Sequence, residues 1–206
     1  MSSPFGGPLL AAQTPRRVIE FPRKTRTELL PSAVLAMLIF VFTEVMLFSG
    51  FISAFTIMRG SAVLWPPPGQ PRLPIAETAF NTSLLVASGA VLYFARRRYT
   101  VELGKLRNGI AAAVVLGGGF VLLQGREWVQ MLGQGMTLRS SSLGSFFYLI
   151  VGLHALHAVV ALGILVYAWV RLGRRSVPRN TLAAAEIFWY FVVGIWPILY
   201  WRVYLS

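Results

Sequence analysis

Five long apolar runs, separated by short polar or proline-rich segments, dominate the chain. The first covers about Ser32 to Met58. Between Ala33 and Met58 its sole ionisable residue is Glu44. At about 1.5 Å per residue a run of this length crosses a bilayer as a helix with length to spare. Pro31 precedes it, a position that suits a helix start. A break follows at Trp65-Pro66-Pro67-Pro68-Gly69, with Pro71 and Pro74 close behind. Consecutive prolines cannot continue a helix, so a rigid extended loop is predicted, with Trp65 as an interfacial anchor. The second span runs from about Thr78 to Phe94 and stops at Arg96-Arg97-Arg98. The third runs from about Asn108 to Leu132, the fourth from Leu143 to Val170 and the fifth from Leu182 to Leu205. Gly117-Gly118-Gly119 in the third span permits close approach of another helix. Pro197 should kink or loosen the fifth.

Composition turns this pattern into a membrane assignment. A chain of 206 residues with 56% hydrophobic content has more apolar surface than a soluble domain of that size can bury. The expected fold is an all-α integral membrane bundle of five transmembrane helices over residues 31–206. Residues 1–30, rich in Ser, Gly and Pro before a basic stretch, are expected to be a loose tail, with no apolar core of a cleavable signal. The net charge of +12 raises nucleic acid as a partner, but the cations are parcelled into segments between apolar runs. Fourteen of the nineteen Lys and Arg residues precede span 1 or lie between spans 2 and 3 and spans 4 and 5. The positive-inside rule then puts the N-terminus in the cytoplasm and the C-terminus outside, as a multi-pass protein of a bacterial-type cytoplasmic membrane. Nucleic-acid binding is rejected. With no cysteine, disulfides, thiol catalysis and thiolate metal sites are excluded.

Few polar residues enter the spans. Glu44 is costly at membrane depth, so it should face protein or water. It is either a protonated acid hydrogen-bonded to a neighbouring helix, or an acid tied to protons, a lipid or a partner subunit. Arg126 and Glu127, adjacent near the end of span 3, read as an interfacial polar end with Trp128 as a belt residue, or as a contact with span 4 or another chain. His154 and His157 are the two histidines of the chain and, at i and i+3, share a helix face. They could touch one small metal ion, but no nearby carboxylate or Cys completes a site, and they cannot sandwich a haem. Interhelix hydrogen bonding is the favoured role. Glu186 can stay near the inner interface, and the aromatics of span 5 are expected to pack and anchor. No phosphate loop, serine-nucleophile signature or redox-ligand cluster is present, so no catalytic, cofactor-binding or metal residue is assigned. A stand-alone proton or solute carrier would need paired broken helices or an inverted repeat, and neither is found. A membrane enzyme with its own haem would need ligands that this sequence lacks.

The order of the motifs resembles subunit III of the haem–copper terminal oxidases over roughly residues 36–204. Thr43-Glu44 with Phe48-Ser49-Gly50-Phe51 and Ala54-Phe55 resembles that family's acid-bearing helix. Trp65-Pro66-Pro67-Pro68-Gly69, Leu73-Pro74, Asn81-Thr82-Ser83-Leu84-Leu85 and Ser88-Gly89 resemble its proline loop and next helix. Gln124, Glu127-Trp128, Gly144-Ser145-Phe146-Phe147-Tyr148, Gly152 and His154-Ala155-Leu156-His157 resemble its most recognisable segment. Trp189, Phe191 and Trp196 match its closing helix. Five spans match the shorter form of the family, without the two N-terminal helices of the seven-helix form.

The resemblance implies a non-catalytic subunit of a cytochrome c or quinol oxidase. It would dock on core subunit I, beside subunit II, and stabilise it during oxygen reduction and proton translocation. Haem and copper would sit in those partners, none in this chain, with bound phospholipid expected here. Glu44 falls on the family's carbodiimide-reactive carboxylate. Phe40 and Arg171 fall on lipid-contacting positions, Arg171 being fourteen residues after His157. Glu127, His154 and His157 are implied as structural or interface groups. The family's closing helix usually carries His and Asp where this chain has Tyr190 and Val193, so those roles do not transfer, and Ala155 stands where the family has a Gly between the two histidines of span 4. The accessory membrane subunit of nitric oxide reductases is the alternative within the same resemblance.

Overall fold

The computed structural model describes residues 31–64, 71, 73–98, 102–174 and 178–205. The tail over residues 1–30, the loop Trp65–Gly69 with its tryptophan, and Arg72 and Arg175 lie outside the described residues. Five helices form: α1 (Ser32–Gly60), α2 (Ile75–Arg98), α3 (Leu103–Gly133), α4 (Ser142–Arg174) and α5 (Arg179–Tyr200), the last continued by a π-helical turn, Trp201–Leu205. All five are long and apolar enough to cross a membrane, and the described residues contain no strand. The all-α five-span fold holds.

The helices run further than the apolar runs. α2 begins at Ile75 and ends at Arg98, and α3 begins at Leu103. Hydropathy stops at the first cations, whereas backbone hydrogen bonding carries the helix through the interfacial turns. Pro197 does not end α5. The helix passes through it to Tyr200, and the wider turn from Trp201 to Leu205 follows. A proline lacks the N–H that would bond the carbonyl four residues earlier, and π turns are one way a helix absorbs such a defect.

α5 is the hub. It packs against α1, α2 and α4, while α2 lies along α3 and α3 against α4. Trp189 and Trp196 on α5 are fully buried. Gly117 makes room for the first: a Cβ there would come within 2.5 Å of the Trp189 ring. The neighbouring glycines are not equivalent, since a Cβ on Gly118 would meet nothing within 4 Å. Trp189 Nε1 donates to Ser88 Oγ at 3.1 Å, and Ser88 donates on to the Ala113 carbonyl at 2.8 Å, tying α5, α2 and α3 together. Trp196 Nε1 donates to Thr82 Oγ1 at 2.9 Å. Each indole thus finds an internal acceptor, as a water-free interior requires.

α1 is the edge element, packed on α5 and α4. Its outward face carries Leu35, Leu38, Ile39, Phe42, Val45 and Met46, all exposed. Its hydroxyls bond back to their own helix: Thr43 to the Phe40 carbonyl, Ser49 to Val45 and Thr56 to Ile52. Such bonds let Ser and Thr face lipid with no unsatisfied donor.

Candidate functional site

Three polar centres lie inside the apolar bundle. The first joins α1 to α4. Glu44 stands one turn before Phe48 on the side of α1 that meets the bundle, and its Oε2 lies 3.1 Å from His157 Nε2. Both side chains are largely shielded, 14% and 11% exposed. The rings of Phe48, Phe188 and Phe191 stand 5.7, 6.1 and 6.2 Å from the His157 ring, so the pair sits in an aromatic cage. His157 Nδ1 lies 2.7 Å from the Leu153 carbonyl one turn back. A carbonyl only accepts, so this is a hydrogen bond when Nδ1 carries the proton.

His154 goes elsewhere although it shares the helix face. It is 1% exposed and stacks on Trp196, with ring centroids 4.8 Å apart. Neither of its ring nitrogens has a hydrogen-bond partner among the described residues. His157 thus faces a polar group on another helix, and His154 does not. Among the described residues, no three His, Cys, Asp or Glu side chains gather as metal ligands.

The second centre corrects the reading of Glu127. It is 3% exposed, and its partners are on α2 and its own helix rather than on α4. Asn81 Nδ2 donates to Oε1 at 2.6 Å, Gln124 Nε2 donates to Oε2 at 2.8 Å, and Thr78 Oγ1 lies 2.9 Å from Oε2. Gln124 also reaches the Tyr204 hydroxyl at 3.3 Å. The reason is the packing of α2 along α3, which pairs two polar couples, Thr78 with Asn81 and Gln124 with Glu127. Each couple is spaced i, i+3 and so lies on one helix face. Trp128 is half-buried beside it. Its ring packs edge-on to Tyr148 at 5.7 Å and covers Gly152, where a Cβ would lie 3.2 Å from it.

The third centre is Glu186, which is 6% exposed. Its Oε1 lies 3.4 Å from Arg96 Nε. Arg96 read as a stop signal for span 2, yet the helix continues far enough to bring its guanidinium over α5.

Phe40 and Arg171 lie on the rim of the bundle. Phe40 is 39% exposed and packs edge-on to Phe188 at 5.5 Å. Arg171 is exposed, its guanidinium 5.6 Å from the Tyr167 ring centroid. Val193, where the resembling family has an acid, fills the space against Gly89, whose Cβ would fall 2.9 Å from a Val193 methyl.

Sequence comparisons bear on this arrangement. The family model described as cytochrome c oxidase subunit III matches residues 27–206. Cytochrome c oxidase subunit 3 of Thermostichus vulcanus is 32% identical, covering 84% of this chain and 86% of that protein. The subunit 3 of Equus caballus is 31% identical, covering 82% of this chain and 67% of its own length, and that of Locusta migratoria is 31% identical over 82% of this chain and 66% of its own. The match takes in all five helices and all three polar centres, and the chain therefore belongs to the cytochrome c oxidase subunit III family.

Proposed function

We propose that this chain is a non-catalytic subunit of a respiratory haem–copper oxidase in a bacterial-type cytoplasmic membrane. It docks on the core subunit that carries haem and copper, holds phospholipid against it and sustains its turnover. The observation that carries this reading is the family match over residues 27–206, nearly the whole membrane part. The interior supports it. Glu44, Glu127 and Glu186 each face a side chain on another helix, as polar groups do when they fix a bundle's register.

Within this reading Glu44 is the polar anchor of α1 and the carboxyl that a carbodiimide reaches. Phe40 contacts acyl chains beside it. Arg171, with its aliphatic stem along the helix and its charge at the inner interface, takes a lipid phosphate. The N-terminus is cytoplasmic by the distribution of Lys and Arg.

Purification of the tagged chain in mild detergent, with an optical spectrum and identification of what comes with it, tests the reading. Haem–copper core subunits with oxygen consumption are expected. A nitric oxide reductase core, or a colourless solitary chain, would overturn it.

A further inference from the structure

Glu127 turns into the seam between α2 and α3, whereas Arg126, its neighbour in the chain, stays exposed. The same division recurs across the seam. Thr78 is buried and bonds to Glu127, while Glu77 just before it is exposed. Glu77 and Arg126 are each one residue away from that 2.9 Å bond, so they stand at the same depth in the bundle. Both line a cavity of about 370 Å³ in the seam, with Phe80 and Leu123 as apolar walls.

Glu77 differs from every other described acid. Glu44 faces His157, Glu102 faces Lys105, Glu127 accepts from Asn81 and Glu186 faces Arg96. Among the described residues, neither Glu77 nor Arg126 enters an ion pair, although they line one cavity. The surface beside them is apolar. Phe80, three residues after Glu77, is 61% exposed. Leu122 and Val129, four before and three after Arg126, share its face of α3 and are 76% and 69% exposed. An acid and a base, both without a partner, thus stand level with each other on a greasy face.

That pattern is self-complementary. Copies of a membrane protein inserted with one topology can be related by a two-fold axis along the membrane normal. Such an axis keeps every residue at its own depth and makes each contact reciprocal. If Glu77 meets Arg126 of a second copy, Arg126 meets the second copy's Glu77. Only an acid and a base at a common depth can be satisfied in this way. A purely anionic ligand would suit Arg126 but be repelled by Glu77.

We propose that this face of α2 and α3 binds a second copy of the chain, with Glu77 of each copy against Arg126 of the other and Phe80, Leu122 and Val129 packed around the two pairs. The charges select the register, and the apolar side chains supply the contact area. The interface goes beyond the oxidase reading and does not depend on it.

Two full-length copies with different tags, co-expressed and extracted in mild detergent, test the interface. Isolation through the first tag should recover the second for the wild type. Glu77→Arg in both copies sets cation against cation, and Arg126→Glu in both sets acid against acid. Each should lower recovery by roughly tenfold. One copy with Glu77→Arg and the other with Arg126→Glu should restore it, because both contacts are again between opposite charges. That restoration separates a lost contact from a lost fold. Absence of the second tag for the wild type overturns the interface, as does wild-type recovery by either reversal. Failure of the mixed pair to regain what the single reversals lose overturns it as well. Both tags are on this chain, so any of these failures leaves the oxidase reading standing.

Discussion

Glu44 of α1 and His157 of α4 face each other inside the bundle, carboxyl oxygen to ring nitrogen. The 3.1 Å contact between Glu44 Oε2 and His157 Nε2 faces a ring whose other nitrogen is 2.7 Å from the Leu153 carbonyl. With Nδ1–H committed to that carbonyl, two arrangements complete the contact: a carboxylic acid donating to Nε2, or an imidazolium donating to the carboxylate. They contain the same number of protons and differ only in where one of them sits.

Glu44→Gln is expected to leave the bundle assembled, because a glutamine amide can donate to the same Nε2. The loss should be below about 1.5 kcal/mol, the net worth of an ordinary hydrogen bond. Carbodiimide labelling of the chain should vanish. Labelling that persists in this variant would show that another acid reacts. His157→Phe should be worse, by about 1–3 kcal/mol, since it strands Glu44 without its partner. Thermal unfolding in detergent checks the order of the two.

At Glu127 the stakes lie on α2. Asn81→Ala removes the 2.6 Å donor to Oε1 in a buried cluster and should lower stability by about 1–3 kcal/mol. Ser83→Ala, which deletes only an exposed bond to the Phe80 carbonyl, should change little. Equal melting temperatures for the two variants would mean that the Glu127 cluster does not hold α2 to α3.

Two adjacent glycines separate packing from helix propensity. Gly117→Ala sets a methyl 2.5 Å from the Trp189 ring and should destabilise by about 1–3 kcal/mol through overpacking. Gly118→Ala meets open space and should be neutral or slightly stabilising. Comparison of their melting curves with wild type decides it; a tolerated Gly117→Ala would contradict the close approach of α3 and α5.

How far the chain could be read before folding follows from where each kind of information lies. The spans are local: twenty or so apolar residues bounded by cations or prolines announce themselves. Their ends were misjudged by a few residues because Arg96 to Arg98 stop the hydropathy but not the backbone. Facing between helices is not local. Glu127 follows Arg126 near the end of its run, and nothing beside it in the sequence marks it as buried. Its place in the core depends on α2 bringing Thr78 and Asn81 to the same depth. The signal was there in two i, i+3 polar couples on antiparallel neighbours, but pairing them needs the packing of α2 on α3. The burial of Glu186 was hidden for the same reason, its cation lying on another helix. The tie between α1 and α4 was partly legible: a lone acid and a lone pair of histidines had few other partners, although which histidine it met was decided by Trp196 stacking on His154.

The most direct test of the account is oxygen consumption over time by the oxidase complex, intact and after selective removal of this chain. A subunit that supports rather than catalyses predicts that the depleted complex keeps its haem spectrum and begins at a comparable rate, then loses activity sooner, with re-addition of the chain restoring its lifetime. A depleted complex that lacks its haem signals or consumes no oxygen from the first turnover would contradict that reading.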